Sequence, residues 1–295
     1  MSDSLNKAIA QALCLYDRKI GEGDLTMETL LSYPPHVVVN IRNTKPVPAC
    51  ILPLFEQVVK YGDPSLQFET DAATETVIPR GDITIHLEGN GSAILTGWQV
   101  ARPLVSLMAR VFAKVRAAVE TVEPYGIKVG HNLDLPTGYG KIIAHAVEEA
   151  GGMTLDTGLN ERVYITSDHL KSVGSLNKAV AKVIGEVGDQ RSLIKIVVEV
   201  RSADELAQLT DKKVDWVYCR GFSADEIKEG GKLTKGWVRM MVDDSIGVKE
   251  VVALKDAGVK CYAVGVNELF AVEDFFTVEF EGEQVELKQE NSVAV

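Results

Sequence analysis

No stretch of this sequence approaches the run of about 18 apolar residues that a membrane-spanning helix needs, so none is expected. It contains neither Gly-x-Gly-x-x-Gly nor Gly-x-x-x-x-Gly-Lys-Ser/Thr, which removes the main reasons to expect a nucleotide-binding open sheet. Positive charge is scarce: 31 Lys and Arg stand against 42 Asp and Glu, a net charge of −11. Nucleic acid and anionic membrane surfaces are therefore poor partners. The four cysteines, Cys14, Cys50, Cys219 and Cys261, form no Cys-x-x-Cys pair and no metal-ligand spacing, and read as reduced core thiols. The opening Met-Ser-Asp-Ser-Leu-Asn-Lys lacks the basic start and apolar run of a secretory leader. A cytoplasmic location is the expectation.

What is present is a series of Val/Ile-rich strands with polar ends in the second half of the 295 residues. They are Ile127 to Gly130, Met153 to Asp156, Val163 to Asp168, Ile194 to Val200, Trp216 to Arg220, Val238 to Asp244 and Cys261 to Val266. Strands so continuously apolar are buried on both faces, which means a parallel sheet or barrel wrapped by helices. Helical segments alternate with them at 141–150, 177–186, 203–209, 224–230 and 248–257. Chemistry in such barrels sits at the carboxyl ends of the strands. Those ends offer Asp134, Asp156, Asp168, Glu199, Asp243 and Asp244.

Each candidate has two readings. Glu199 lies on a buried strand, where a carboxylate must be paired or neutral; it faces either a ligand or a structural partner. Asp134 and Asp156, at neighbouring strand ends, would make either a divalent-metal site of oxygen ligands or solvent-facing carboxylates. Asp243 or Asp244 either serves a ligand or caps the next helix through Ser245-Ile246-Gly247. His131 and His169 are candidates for moving protons or holding a ligand, against a purely structural role. His36, His86 and His145 read as surface residues.

The first half differs. Residues 4–18 read as an amphipathic helix ended by Gly21 and Gly23. Short alternating strands follow at His36 to Arg42, Gln67 to Thr70, Glu75 to Pro79 and Asp82 to Glu88, with turns at Pro46-Val47-Pro48 and Gly62-Asp63-Pro64. A long helix is expected over 97–121, with Pro103 in its first turns, where proline is tolerated. The whole predicts an α+β unit with a mostly antiparallel sheet and a connecting helix (1–122), repeated β–α units that make either a doubly wound sheet or a barrel (123–273), and one more strand, Phe276 to Phe280, with a polar tail (274–295).

That order of elements resembles the quinolinate phosphoribosyltransferases, or nicotinate-nucleotide pyrophosphorylases, over nearly the whole chain. Gly21-Glu-Gly-Asp-Leu-Thr26 resembles the family's early Gly-Asp-x-Thr, and Ala93 to Val100 its helix-start motif. Gly158-Leu159, Asp168-His169, Val198-Glu199-Val200 and Ala263-Val-Gly265 resemble its Gly-Leu, Asp-Asn-His, Glu-Val-Glu-Val and Ser-Val-Gly segments. Gly97-Trp98 and Gly158 to Val163 are similar to the ModD-type pyrophosphorylase-like proteins of molybdenum-uptake operons. The resemblance implies a type II phosphoribosyltransferase-like fold, with an N-terminal α/β sandwich, a C-terminal open α/β barrel and a last strand returning to the sandwich. It also implies a small-molecule ligand in the barrel mouth, and a homodimer in which each sandwich covers the partner's barrel. Trp98 and Gln99 would then border the partner's pocket.

The family's ligands are strongly anionic and are held by Arg and Lys. Here the helix-start Arg position falls on Gln99, the Thr-Arg-Lys motif on Asn132-Leu133-Asp134, and the His-Arg pair on Leu155-Asp156. The family's strand-end Lys falls on Thr166, its ribose-binding Asp on Cys219, and its phosphate-binding glycine pair on Asp244-Ser245. Arg162, Arg220 and Lys141 are the basic residues that could replace what is lost, though Arg220, one residue past Cys219, is expected on the opposite face of its strand. A carboxylate about 4 Å from a phosphate costs on the order of 4 kcal/mol at an effective dielectric of 20. Each lost charge-assisted hydrogen bond adds ~1.5–3 kcal/mol, and a micromolar ligand has only about 8 kcal/mol in total. The expectation is a diverged family member whose mouth, with Glu199, Asp134 and Asp156 as anchors and His131 or His169 moving protons, takes a neutral, cationic or metal-bound molecule. The alternatives are a non-catalytic small-molecule or metal (molybdenum-type) binding protein, and an ordinary pyrophosphorylase.

Overall fold

The computed structural model describes residues 2–30, 35–70, 76–81, 83–154, 158–209, 213–235, 237–270 and 275–281. The chain divides into two compact units, Ala12–Ser106 with Val272–Val295, and Met1–Gln11 with Leu107–Ala271. The division falls inside two helices.

In chain order the first unit holds the second half of α1 (Asp3–Ile20), then α2 (Leu25–Leu30), β1 (His36–Asn43), β2 (Val47–Pro48), α3 (Leu52–Lys60), β3 (Gln67–Glu69), β4 (Val77–Ile78), β5 (Ile83–Asn90) and the start of α4 (Gly91–Val122). Its main sheet is antiparallel, with β1 between β5 and the C-terminal strand Phe276–Glu281, and β3 on the far edge of β5. Val39 lies opposite Leu87, and Ile41 opposite Ile85, and all four are buried; this is the period of two expected of a one-faced sheet. Phe55 and Phe276 both stack edge-on against Trp98, with ring centres 5.8 Å and 6.1 Å away. Trp98 is thus a buried core residue of this unit (7% exposed). Val47–Pro48, expected as a turn, pairs instead with β4.

The long helix starts at Gly91, earlier than the sequence pattern predicts, so Pro103 lies three turns inside it and not in its first turns. A proline has no N–H to give to the carbonyl four residues back, here Gln99. The Lys19 ammonium takes that carbonyl at 2.7 Å. Gly97 lies against α3: a Cβ there would stand 2.9 Å from both Cα and O of Val59, so this crossing requires glycine.

The second unit holds β6 (Lys128–His131), α5 (Gly140–Glu149), β7 (Arg162–Ile165), α6 (Ser167–Val173), α7 (Leu176–Val187), β8 (Lys195–Val200), α8 (Ala203–Ala207), β9 (Trp216–Cys219), α9 (Ala224–Thr234), β10 (Met240–Asp243), α10 (Val248–Ala253) and β11 (Val259–Val264). The strands are all parallel, in the order β6-β11-β10-β9-β8-β7, and Met153 bridges the free edge of β6. Read around, this is the chain order without reversal, as in a barrel and unlike a doubly wound sheet. The sequence-predicted strand Met153 to Asp156 is present as that single bridge, and Leu155 to Thr157 lie outside the described residues.

Val197, Tyr218, Met241, Cys261 and Ala263 form the interior cluster, with Leu133, and Tyr164, Trp216 and Met153 pack against it. Side chains alternate across a strand, so this cluster fixes the parity of every barrel strand. Glu199 shares the interior side with Val197, Asp243 with Met241, and the position after Cys219 with Tyr218.

Candidate functional site

Glu199 is 1% exposed, yet both its oxygens are fully engaged. Ser167 Oγ (2.7 Å) and Arg201 Nε (2.9 Å) donate to Oε1; Tyr164 Oη (2.9 Å) and Arg220 Nη1 (3.3 Å) donate to Oε2. Burial alone would push this carboxyl up, but the donors from Ser167, Arg201 and Tyr164, with the Arg220 charge, outweigh it and hold it below the usual range. It stays an anion at neutral pH and is a weak proton acceptor. The Tyr164 hydroxyl is pushed well up by burial and then by Glu199, so it remains a donor.

Arg220 is the second hub. Its Nη1 lies 2.5 Å from Asp134 Oδ2 as well as 3.3 Å from Glu199. Burial disfavours its charge, but Asp134 and Glu199 outweigh this, so it is permanently cationic. The expectation that Arg220 points away from the pocket is therefore wrong. Tyr218 faces the interior, so Arg220, two residues on, does too, and Cys219 between them lies on the other face. Cys219 is fully buried there, and burial drives its thiol far up, so the position expected to touch ligand is a packing residue.

Asp134 stands on the loop between β6 and α5 with its side chain 47% exposed. Asp243 accepts from the backbone N–H groups of Gly221 (3.0 Å) and Ser245 (3.2 Å), and Ser245 Oγ lies 3.1 Å from Phe222 O, so these two brace the loops after β9 and β10. Asp244 accepts from Gly265 N–H at 3.1 Å and lies 4.0 Å from Lys114 Nζ. Neither aspartate caps α10; its first residue follows Gly247, whose N–H is taken by Glu250 at 2.9 Å. Asp243, Asp134 and Asp244 nonetheless all act on Tyr218, whose hydroxyl is pushed up by burial and then by them against the opposing Arg220 charge.

The strand predicted through Asp168 stops at Ile165. Thr166 is instead the N-cap of α6: its Oγ1 accepts the His169 N–H, and His169 Nδ1 accepts the Thr166 N–H at 3.1 Å. Asp168 is turned outward onto Lys171 at 2.6 Å. Thr166, Asp168 and His169 thus build a helix start, and the nearby residue that reaches Glu199 is Ser167. His131 is fully buried, with Nδ1 2.8 Å from Asn132 O; its pairing with Val264, while Gly130 pairs with interior Ala263, puts it on the face away from Glu199. Gln99 has an exposed side chain on α4. His145, read as a surface residue, is 2% exposed and meets Ser4 Oγ at 3.1 Å. Lys141 is taken by Glu161, and the Arg162 guanidinium lies 5.7 Å from the Tyr164 ring centre.

Asp156, named with Asp134 as a metal ligand, lies outside the described residues. Among the described residues no group of three or more His, Cys, Asp or Glu is gathered as a metal would need. Among them, too, no helix is long and apolar enough to cross a membrane. Tyr164, Ser167 and Arg201 are the site residues that sequence reasoning missed. The signal for Tyr164 and Arg201 was parity, since Tyr164 pairs with Val197 and Arg201 lies two residues past Glu199.

Residues 136–274 match the family described as quinolinate phosphoribosyl transferase, C-terminal domain. A curated protein of Bacillus subtilis (strain 168), named probable nicotinate-nucleotide pyrophosphorylase (carboxylating), is 22% identical over 249 residues, covering 83% of this chain and 84% of that one. The solved nicotinate-nucleotide pyrophosphorylase of Francisella tularensis superposes with a TM-score of 0.73 at 21% identity, covering 95% of this chain and 96% of the other. That of Ehrlichia chaffeensis does so with a TM-score of 0.76 at 17% identity, covering 95% and 99%. At these identities the solved structures speak for the fold, an α/β sandwich joined to an open α/β barrel. With the domain match and the curated relatives they lead to one statement: residues 136–274 match the quinolinate phosphoribosyltransferase C-terminal domain, and the chain as a whole is similar to the nicotinate-nucleotide pyrophosphorylases.

Proposed function

We propose that this protein binds a small, neutral or cationic molecule at the barrel mouth, against Glu199, Tyr164 and Arg220, and transfers a glycosyl group to or from it. The observation that carries this reading is the Asp134 carboxylate on Arg220. Glu199, Asp134, Arg201 and Arg220 together sum to no net charge, so a multiply charged anion meets no uncompensated cation in this group. Asp243 and Asp244 add negative charge beyond it, offset by Lys114 near Asp244. Glycosyl transfer develops positive charge on the sugar. A carboxylate kept ionised, as Glu199 is, stabilises that charge electrostatically and need not move a proton.

The experiment is titration calorimetry against phosphoribosyl pyrophosphate, quinolinate and nicotinate, together with an assay for phosphoribosyl transfer with release of carbon dioxide. The reading expects no micromolar binding of the two polyanions and no turnover. Tight pyrophosphate binding or turnover overturns it. A second reading, ordinary phosphoribosyl transfer, is favoured by Arg201 and Arg220 at the mouth: an anion could displace the half-exposed Asp134, and the same assay decides between the two. The proposal includes the homodimer and cytoplasmic setting that the family likeness suggests; light scattering on the purified protein tests the dimer.

A further inference from the structure

We infer that Asp134 is a built-in occupant of an anion seat on Arg220, and that it is the residue setting which ligand charge the barrel mouth admits. This rests on the reading of the mouth as a small-molecule site. Arg220 lies between two carboxylates that are not equivalent. Glu199 is buried and keeps Tyr164, Ser167 and Arg201 as donors, so it stays satisfied without Arg220. Asp134 is on a loop, half-exposed, and its Oδ2 is the atom closest to the guanidinium. Of the two, Asp134 is the exchangeable partner.

A guanidinium recognises carboxylate and phosphate oxygens by the same planar fork of N–H groups. The Arg220 side chain is itself 39% exposed, so a ligand can reach the face that Asp134 covers. A ligand carboxylate or phosphate and the Asp134 carboxylate must then compete for one set of donors. With Asp134 present the group of two arginines and two carboxylates is neutral; without it one positive charge is left uncompensated. Asp134 thus selects neutral or cationic ligands, and its loss converts the same scaffold to one that takes a carboxylate or phosphate.

The test is calorimetric titration of the full-length protein, its Asp134→Ala and Asp134→Asn variants and the Asp134→Ala/Arg220→Gln double variant with inorganic pyrophosphate at low ionic strength. Asp134→Ala is expected to bind pyrophosphate at least roughly tenfold tighter than the parent, a change of about 1.4 kcal/mol. Asp134→Asn, which keeps the shape but not the charge, is expected to gain in the same direction. The double variant should lose the gain. Unchanged affinity in both single variants overturns the inference, and so does a gain that survives Arg220→Gln. The outcome is separable from that of the proposed function. Tight phosphoribosyl pyrophosphate binding by the parent would end the neutral-ligand reading yet leave the parent-to-variant comparison valid. Equal pyrophosphate affinities would end this inference and leave that reading standing.

Discussion

The Tyr164 hydroxyl donates to Glu199 Oε2 at 2.9 Å across the neighbouring parallel strands β7 and β8. A single phenol thus ties the site carboxylate to the next strand, and the aromatic ring below it packs on the barrel interior, 6.5 Å from the ring of Tyr218. Replacing Tyr164 with Phe removes only the hydroxyl. Glu199 keeps three donors, so the expected loss is about 1 kcal/mol, read as a lower urea midpoint with an unchanged slope. A loss as large as that expected for Glu199→Ala, about 3–5 kcal/mol, would show that the ring had moved as well.

Glu199 itself should be much more sensitive. Glu199→Gln keeps the volume but takes the charge from Arg201 and Arg220, which are partly exposed and can turn to water; the expected cost is about 1.5–3 kcal/mol. Glu199→Ala also strands the Tyr164 and Ser167 hydroxyls and should cost about 3–5 kcal/mol. Because the folded carboxyl is held below its ordinary 4.5, its contribution is present above that pH and is lost as the pH falls below it. Equal urea midpoints for the parent and Glu199→Gln would contradict this.

His145 gives a different acid response. Burial lowers its pKa from the ordinary 6.5, with Glu149 and Glu148 pulling weakly the other way, and Ser4 is its hydrogen-bonding neighbour on α1. Below 6.5 the unfolded chain therefore binds the proton more readily than the folded one, so stability falls as the pH drops through that window and is intact above it. Urea midpoints of the parent and His145→Gln, compared on both sides of 6.5, should converge as the pH falls, since the parent alone carries this penalty. Parallel curves would show that the imidazole titrates alike in both states.

At Gly97, Ala would raise intrinsic helix propensity by roughly 1 kcal/mol. Its Cβ would also stand 2.9 Å from Val59 Cα and O, and forcing α3 and α4 apart costs about 1–3 kcal/mol. The close approach should win, and Gly97→Ala should melt at a lower temperature. A raised melting temperature would mean the two helices separate freely.

The sheet-forming half of the chain was legible in its apolar runs, because a strand buried on both faces leaves little choice of residue. What the runs could not carry was parity. Cys219 and Arg220 are adjacent, and only the pairing of Tyr218 with Glu199 and Met241 tells which of them faces the interior. Thr166 to His169 misled for a different reason: Thr166-Ser-Asp-His169 continues an apolar strand and is also a helix N-terminus, and the cap hydrogen bonds decide for the helix. His145 was misread because its partner, Ser4, is 141 residues away in sequence, and no local pattern reports such a contact.

Pro103 looks like a defect in α4, and by helix propensity alone its replacement by Ala should strengthen that helix by about 3 kcal/mol. But an alanine would offer its own N–H to the Gln99 carbonyl, which Lys19 now holds from α1 at 2.7 Å. The intrahelical gain and the interhelical tether draw on the same oxygen. A repair that improves one element therefore loosens its grip on a neighbour, and the imino acid acts here as a socket for a lysine from elsewhere in the chain.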